Sequence, residues 1–87
     1  MIDGMKVIDF HGHVGRQDEI GMRDDPEKML HAMDLAGIDV SCLFQIFHPD
    51  GTTGNDLAAR FIAQHPDRFV AFAYVSPTLP ERMVPEL

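Results

Sequence analysis

The chain has a single cysteine, Cys42, among 87 residues, so no disulfide can form within it. That suits a reducing compartment. Positive charge is scarce as well: 7 lysines and arginines stand against 14 acids, for a formal net charge of -7. Without a basic cluster to neutralise phosphates, no nucleic acid partner is expected. An anionic membrane surface is disfavoured for the same reason. No apolar run approaches the roughly 18 residues that would mark a bilayer span. The N-terminus has no basic segment followed by a long apolar stretch, so no signal peptide is visible and cytoplasm is the expected location. Neither GxGxxG nor a P-loop occurs, and no Ser-His-Asp set can be assembled.

What is present is an ordinary globular composition, 45% apolar, which argues against disorder. The length suits one domain or part of one. Residues 6–10, KVIDF, read as a first strand, because Val7, Ile8 and Phe10 favour extended structure. Gly12, Gly15 and the polar run from Arg16 to Glu19 close it, and residues 16–24 read as an exposed loop. Asp25-Pro26-Glu27 then announces a helix, with Asp25 as cap, Pro26 in the first position and Glu27 where the dipole favours an acid. Met29, Leu30, Met33 and Ala36 form its apolar stripe, and Gly37 is the stop.

Residues 38–46, IDVSCLFQI, form the second strand. Its two faces are both largely apolar, as in a covered parallel strand. Cys42 lies within it as a small buried hydrophobe. Thr53-Gly54-Asn55-Asp56 resembles a capping box and opens a second helix running to about Gln64. His65-Pro66-Asp67 ends it, and residues 69–75, FVAFAYV, form the third strand. Pro80 to Leu87 is compatible with a further helix, although Pro85 sits badly inside one.

The result is an α/β chain with a parallel β-α-β-α-β order. In such sheets chemistry gathers at the carboxyl ends of the strands. His11 and His13 fall there, one residue apart, in KVIDFHGHVG. While the strand stays extended, residues 7, 9, 11 and 13 point the same way. Two imidazoles at that spacing are near enough to share one divalent ion, and Gly12 between them allows close backbone approach. Zinc needs three or four protein ligands, or three and a water. Asp9 could be a third ligand or an acceptor for an imidazole N–H. A slip in the end of the strand would keep the histidines together but move Asp9. His48, beyond the second strand, is a ligand, a substrate contact or an ordinary loop residue. Arg16 is a carboxylate-binding residue or a solvated loop arginine. Arg68 precedes the third strand on the opposite rim, where a structural role is expected. His31 and His65 read as a mid-helix surface residue and a helix-end cation.

These residues also carry a family resemblance. VIDFHGHVG resembles the opening of the amidohydrolase-related metal enzymes, whose first barrel strand ends in HxH. The branch resembled contains aminocarboxymuconate-semialdehyde decarboxylase with related decarboxylases, hydrolases and hydratases. Asn55-Asp56 and the run from His65 to Ala73, HPDRFVAFA, continue it, so the likeness extends from about residue 6 to 77. It implies that His11 and His13 bind a divalent metal, zinc or a similar ion, for chemistry on a small-molecule substrate. It also implies a later histidine or two and an aspartate after the eighth strand, none of which can be assigned in this chain.

A barrel of this kind needs roughly 250 residues. Residues 1–87 therefore read as a single partial domain, the N-terminal part of a (β/α) barrel. Its function, in a complete form, would be metal-dependent hydrolysis or non-oxidative decarboxylation of a small carboxylated or carbonyl-bearing molecule. Turnover by the 87 residues alone is not expected. The alternative is a non-catalytic small α/β protein or degenerate fragment that at most binds a metal ion. Three parallel strands would leave open edges, which invite self-association.

Overall fold

Asp25 starts a helix in the way its sequence demands. In the computed structural model, which describes residues 1–15 and 25–86, its carboxylate accepts from the backbone N–H groups of Glu27 and Lys28 at 3.0 and 3.3 Å. Helix α1 runs Pro26–Ala36 and stops at Gly37, whose φ of 75° is left-handed. Such a φ strains any residue bearing a Cβ. The remaining elements are strand β1, Ile8–His13, strand β2, Val40–Phe44, helix α2, Thr52–Ala63, strand β3, Phe69–Ala71, and helix α3, Pro80–Glu86. The strands form one sheet in the order β1-β2-β3, parallel throughout.

Several boundaries differ from the sequence reading. β1 begins two residues later and runs through both histidines. β2 is shorter at each end. Both Asp39 and Val40 donate to the Val7 carbonyl at its start, and Gln45 leaves the ladder at its end. β3 covers only Phe69–Ala71, because the chain beyond Phe72 pairs with a side chain of α2 instead of a strand. α2 has no capping box at Thr53. It starts at Thr52 after Gly51, and the preceding Asp50 accepts from both the Thr53 N–H and its hydroxyl. α3 contains Pro85 after all, in a helix of seven residues. Residues 16–24, expected as an exposed loop, lie outside the described residues.

One face of the sheet is covered. Val14, Met33, Leu43, Ala58, Phe61 and Phe69 form a buried cluster between the strands and the two longer helices, joined by Met29, Leu30, Ile38 and Ile62. Leu43, at the centre of β2, is only 1% exposed. Ala36, expected in the α1 stripe, is exposed. The opposite face is open. Ile8, Phe10, Val70 and Phe72 are exposed there, and the rings of Phe10 and Phe72 meet across β2 at 5.3 Å. β1 and β3 are the two edges of the sheet.

Candidate functional site

The register of β1 against β2 decides which way each polar residue at its end faces. Ile8 pairs with Val40 and Asp9 with Ser41, but Gly12 pairs with Leu43 and His13 with Phe44. Three residues on β1 therefore span what two span on β2, the mark of a β-bulge. Simple alternation breaks at this point. Asp9 and Gly12 share the helix-covered face of Ser41 and Leu43, while His13 shares the open face of Phe44. His11, in the bulge, is turned to the open face too: its ring lies 4.9 Å from that of His13 and 5.0 Å from that of Phe44. The His13 ring meets Phe44 edge-on at 4.6 Å. The shared direction of the two histidines survives for a reason other than the expected one.

Gly12 makes the bulge sterically feasible. A Cβ there would lie 2.6 Å from Leu43 Cδ2, too close for a packed core. Asp9 fixes the bulge from the covered side, its Oδ1 accepting from the His11 N–H at 3.1 Å. Its carboxylate thus contacts the backbone at the first of the two histidines. Buried His13 Nδ1 has no hydrogen-bond partner among the described residues. An orphaned buried nitrogen is costly, and a metal ion or a ligand donor would relieve it. The His11–His13 pair fits two positions of a metal site in that respect. Among the described residues, no group of three or more His, Cys, Asp or Glu is arranged to hold an ion. Arg16 lies outside those residues.

His48 is brought to the same rim. Its Nε2 lies 3.0 Å from the carbonyl oxygen of Gly15, two residues beyond His13. The backbone of His48 is held by Gln45, a residue passed over in the sequence because it reads as the polar end of a strand. Gln45 Oε1 accepts from the His48 N–H at 2.9 Å, and Gln45 Nε2 donates to the His48 carbonyl at 3.1 Å. The one sequence signal for this arrangement is a pair of glycines. A Cβ on Gly54 would overlap the Gln45 side chain, and one on Gly15 would sit 3.1 Å from Gln45 Cβ.

A second, half-buried clamp closes the same end of the sheet. Asn55, in the first turn of α2, donates to the Tyr74 carbonyl at 2.8 Å and accepts from the Tyr74 N–H at 2.9 Å. It thereby takes the place of a neighbouring strand for the chain leaving β3. Nearby, the Thr53 hydroxyl donates to Asp50 and holds its carboxyl below the usual carboxylate range, with burial opposing the shift.

The opposite rim is structural. Arg68 donates to the carbonyls of Asp39 and Ile38 and to the Asp34 carboxylate, as a structural residue would. Asp39 accepts from the Val7 N–H at 2.7 Å and pairs with the N-terminal ammonium at 3.0 Å. Those contacts, the Val7 bond first, hold its carboxyl below the usual range against a smaller opposing effect of burial. A cleft of about 420 Å³ lies between Met1, Lys6, Gly37, Asp39 and Arg68. It sits at the amino ends of the strands, and Arg68 and Asp39 are already engaged there. His65 pairs with Glu27 at 2.7 Å, while His31 is exposed. Cys42 is a buried free thiol.

No family model matches the chain, and no curated protein does. A solved structure does. It is 2,6-dihydroxybenzoate decarboxylase from Rhizobium, with a TM-score of 0.75 and 22% sequence identity. The alignment covers 94% of this chain and 34% of that one, so the chain spans about a third of the enzyme's length. At that identity the likeness is one of fold: a parallel α/β segment of a TIM-barrel enzyme. No described helix is long and apolar enough to cross a membrane.

Proposed function

We propose that this chain provides the first βα units of a metal-dependent barrel enzyme of the amidohydrolase-related kind, in which His11 and His13 hold a divalent ion, zinc or a similar metal. The observation that carries the reading is the pair itself: two imidazoles on one face at the carboxyl end of β1, 4.9 Å apart, with His13 Nδ1 buried and unpartnered among the described residues. When bound, such an ion polarises a substrate oxygen or lowers the pKa of a water. The chain's own residues do the rest of the local work. Asp9 and Gly12 set the bulge that aims the rings, Phe44 walls the pair on one side, and His48 stands at the same rim. Arg16, following the motif, keeps both of its readings, a carboxylate-binding residue or a solvated loop arginine. Proton transfer belongs to residues beyond the third strand.

The reaction class that fits is decarboxylation of a small carboxylated molecule, supported by the fold likeness to a decarboxylase. Hydrolysis of a carbonyl-bearing molecule is the neighbouring choice on the same metal chemistry. One observation favours a second reading, a non-catalytic α/β fragment that at most binds metal: among the described residues no third ligand joins the pair. We also propose that the open edges of β1 and β3, beside an exposed apolar face, let the chain pair with another copy.

Metal content tests the central claim. Purified protein and the His11→Ala/His13→Ala double variant are analysed side by side. A stoichiometric ion in the first and not the second supports the site. Equal content in both overturns it.

A further inference from the structure

We infer that Gln45 is a positioning residue for this rim: it fixes the turn that carries His48 and so presents that imidazole, in one tautomer, at the carboxyl end of β1. The inference rests on reading the rim as a ligand site for its purpose, though not for its geometry.

Gln45 is fully buried, at 0% exposure. Burying an amide is unfavourable unless both its donor and its acceptor are matched. Here both are matched by one residue, through the N–H and the carbonyl of His48. An apolar side chain of similar size could fill the same space, but it would leave both His48 groups without these partners. Room for the amide comes from two other segments. Gly54 in the first turn of α2 and Gly15 after β1 both lie where a Cβ would meet Gln45. Three pieces of chain therefore converge on one side chain, and what it holds is the backbone of a histidine.

The ring follows from the turn. His48 Nε2 lies 3.0 Å from the Gly15 oxygen, and a carbonyl can only accept. Nε2 therefore carries the proton, and in the neutral ring Nδ1 is an acceptor. A small molecule bound at this rim would meet that nitrogen with a donor group: a hydroxyl, a protonated carboxyl or an amine. With its backbone held by a buried amide and its Nε2 by the Gly15 carbonyl, the ring is set before any ligand arrives.

Nitrogen-15 NMR of the full chain tests this. In the wild type the His48 amide should exchange slowly, and two-bond ring correlations should show the Nε2–H tautomer. In Gln45→Met the His48 amide should exchange about tenfold faster or more, with the ring moving toward the tautomer mixture of an exposed histidine while β2 amides stay protected. His48→Ala should keep amide 48 as slow as in the wild type, because Gln45 bonds to the backbone. A folded Gln45→Met with wild-type protection and ring pattern overturns the inference. Should that variant not fold, the other two samples decide. An unprotected amide 48 in either, or an Nδ1–H ring in the wild type, overturns it, and protection in both with the Nε2–H ring supports it. Cobalt titration of the same samples separates this question from the metal reading. Failure of every sample to take up cobalt removes the ligand assignment of His11 and His13, while the NMR still reports on Gln45.

Discussion

Asp9 and His11 are joined across the bulge of β1, the Asp9 carboxylate accepting from the His11 N–H at 3.1 Å. The acid next to the metal-type motif thus acts on its backbone. Asp9→Asn retains an acceptor oxygen and should leave stability nearly unchanged. Asp9→Ala should lose about 0.5–1.5 kcal/mol, the net worth of one such bond, and loosen the spacing of the two rings. Urea denaturation of the three proteins checks the first effect, and metal affinity checks the second. Equal loss in both variants would show that the carboxylate's charge, not the bond, matters.

Gly12 and Leu43 form the other half of the bulge. Gly12→Ala places a Cβ against Leu43 Cδ2, an overpacking expected to cost about 1–3 kcal/mol. Leu43→Ala alone should cost about 2–5 kcal/mol through its cavity. Combined, the two should cost less than their sum, since each supplies what the other lacks. Strict additivity in denaturation midpoints would reject the steric explanation.

Asn55 supplies Tyr74 with both of its backbone partners. Asn55→Ala should lose roughly 1–3 kcal/mol, two bonds at about 0.5–1.5 each. Asn55→Asp keeps the acceptor for the Tyr74 N–H but sets a carboxylate against its carbonyl. It should therefore be destabilising as well. Hydrogen exchange at Tyr74 should quicken in the alanine variant before β2 is affected.

The lowered pKa of Asp39 gives stability a pH dependence of known sign. Its carboxylate is favoured in the folded chain by the Val7 N–H and then by the N-terminal ammonium. The unfolded chain therefore takes up the proton first as pH falls. The stabilisation is fully present above the ordinary carboxylate range and disappears as pH drops through the depressed folded value. Asp50 acts in the same direction through Thr53. Urea midpoints measured from pH 7 to pH 2 should fall, and Asp39→Asn should flatten part of that fall. An unchanged slope in that variant would remove Asp39 from the account.

An exposed apolar face predicts association. Sedimentation velocity should show the apparent mass of the wild type rising above 9.8 kDa as concentration increases. Phe10→Glu should hold it near the monomer value. A wild type that stays monomeric throughout rejects self-pairing.

Much of the fold is legible locally. The cap at Asp25, the left-handed Gly37 and the Met33 stripe depend on residues a turn apart. Parallel strand order follows from helical crossovers of this length. The bulge was not legible, because its existence depends on the register between β1 and β2, and a single strand has no register. α2 starts earlier than the Thr53 box suggests, with Gly51 as its cap residue and no side-chain cap, because Thr53 is itself engaged by the preceding Asp50 through its N–H and hydroxyl. Gln45 reads as a polar strand end, and only the glycines at 15 and 54, far from it in sequence, hint at a buried amide. Asn55 and Tyr74 lie 19 residues apart.

The sequence by itself determined the α/β order, the ends of α1 and the position of His11 and His13 at the end of the first strand, since periodicity and caps are short-range properties. Tertiary structure alone decided which way those histidines face and what holds them. Side-chain direction at a strand end follows from the partner strand's register, and Leu43, against which Gly12 packs, arrives from another segment only when the chain is packed.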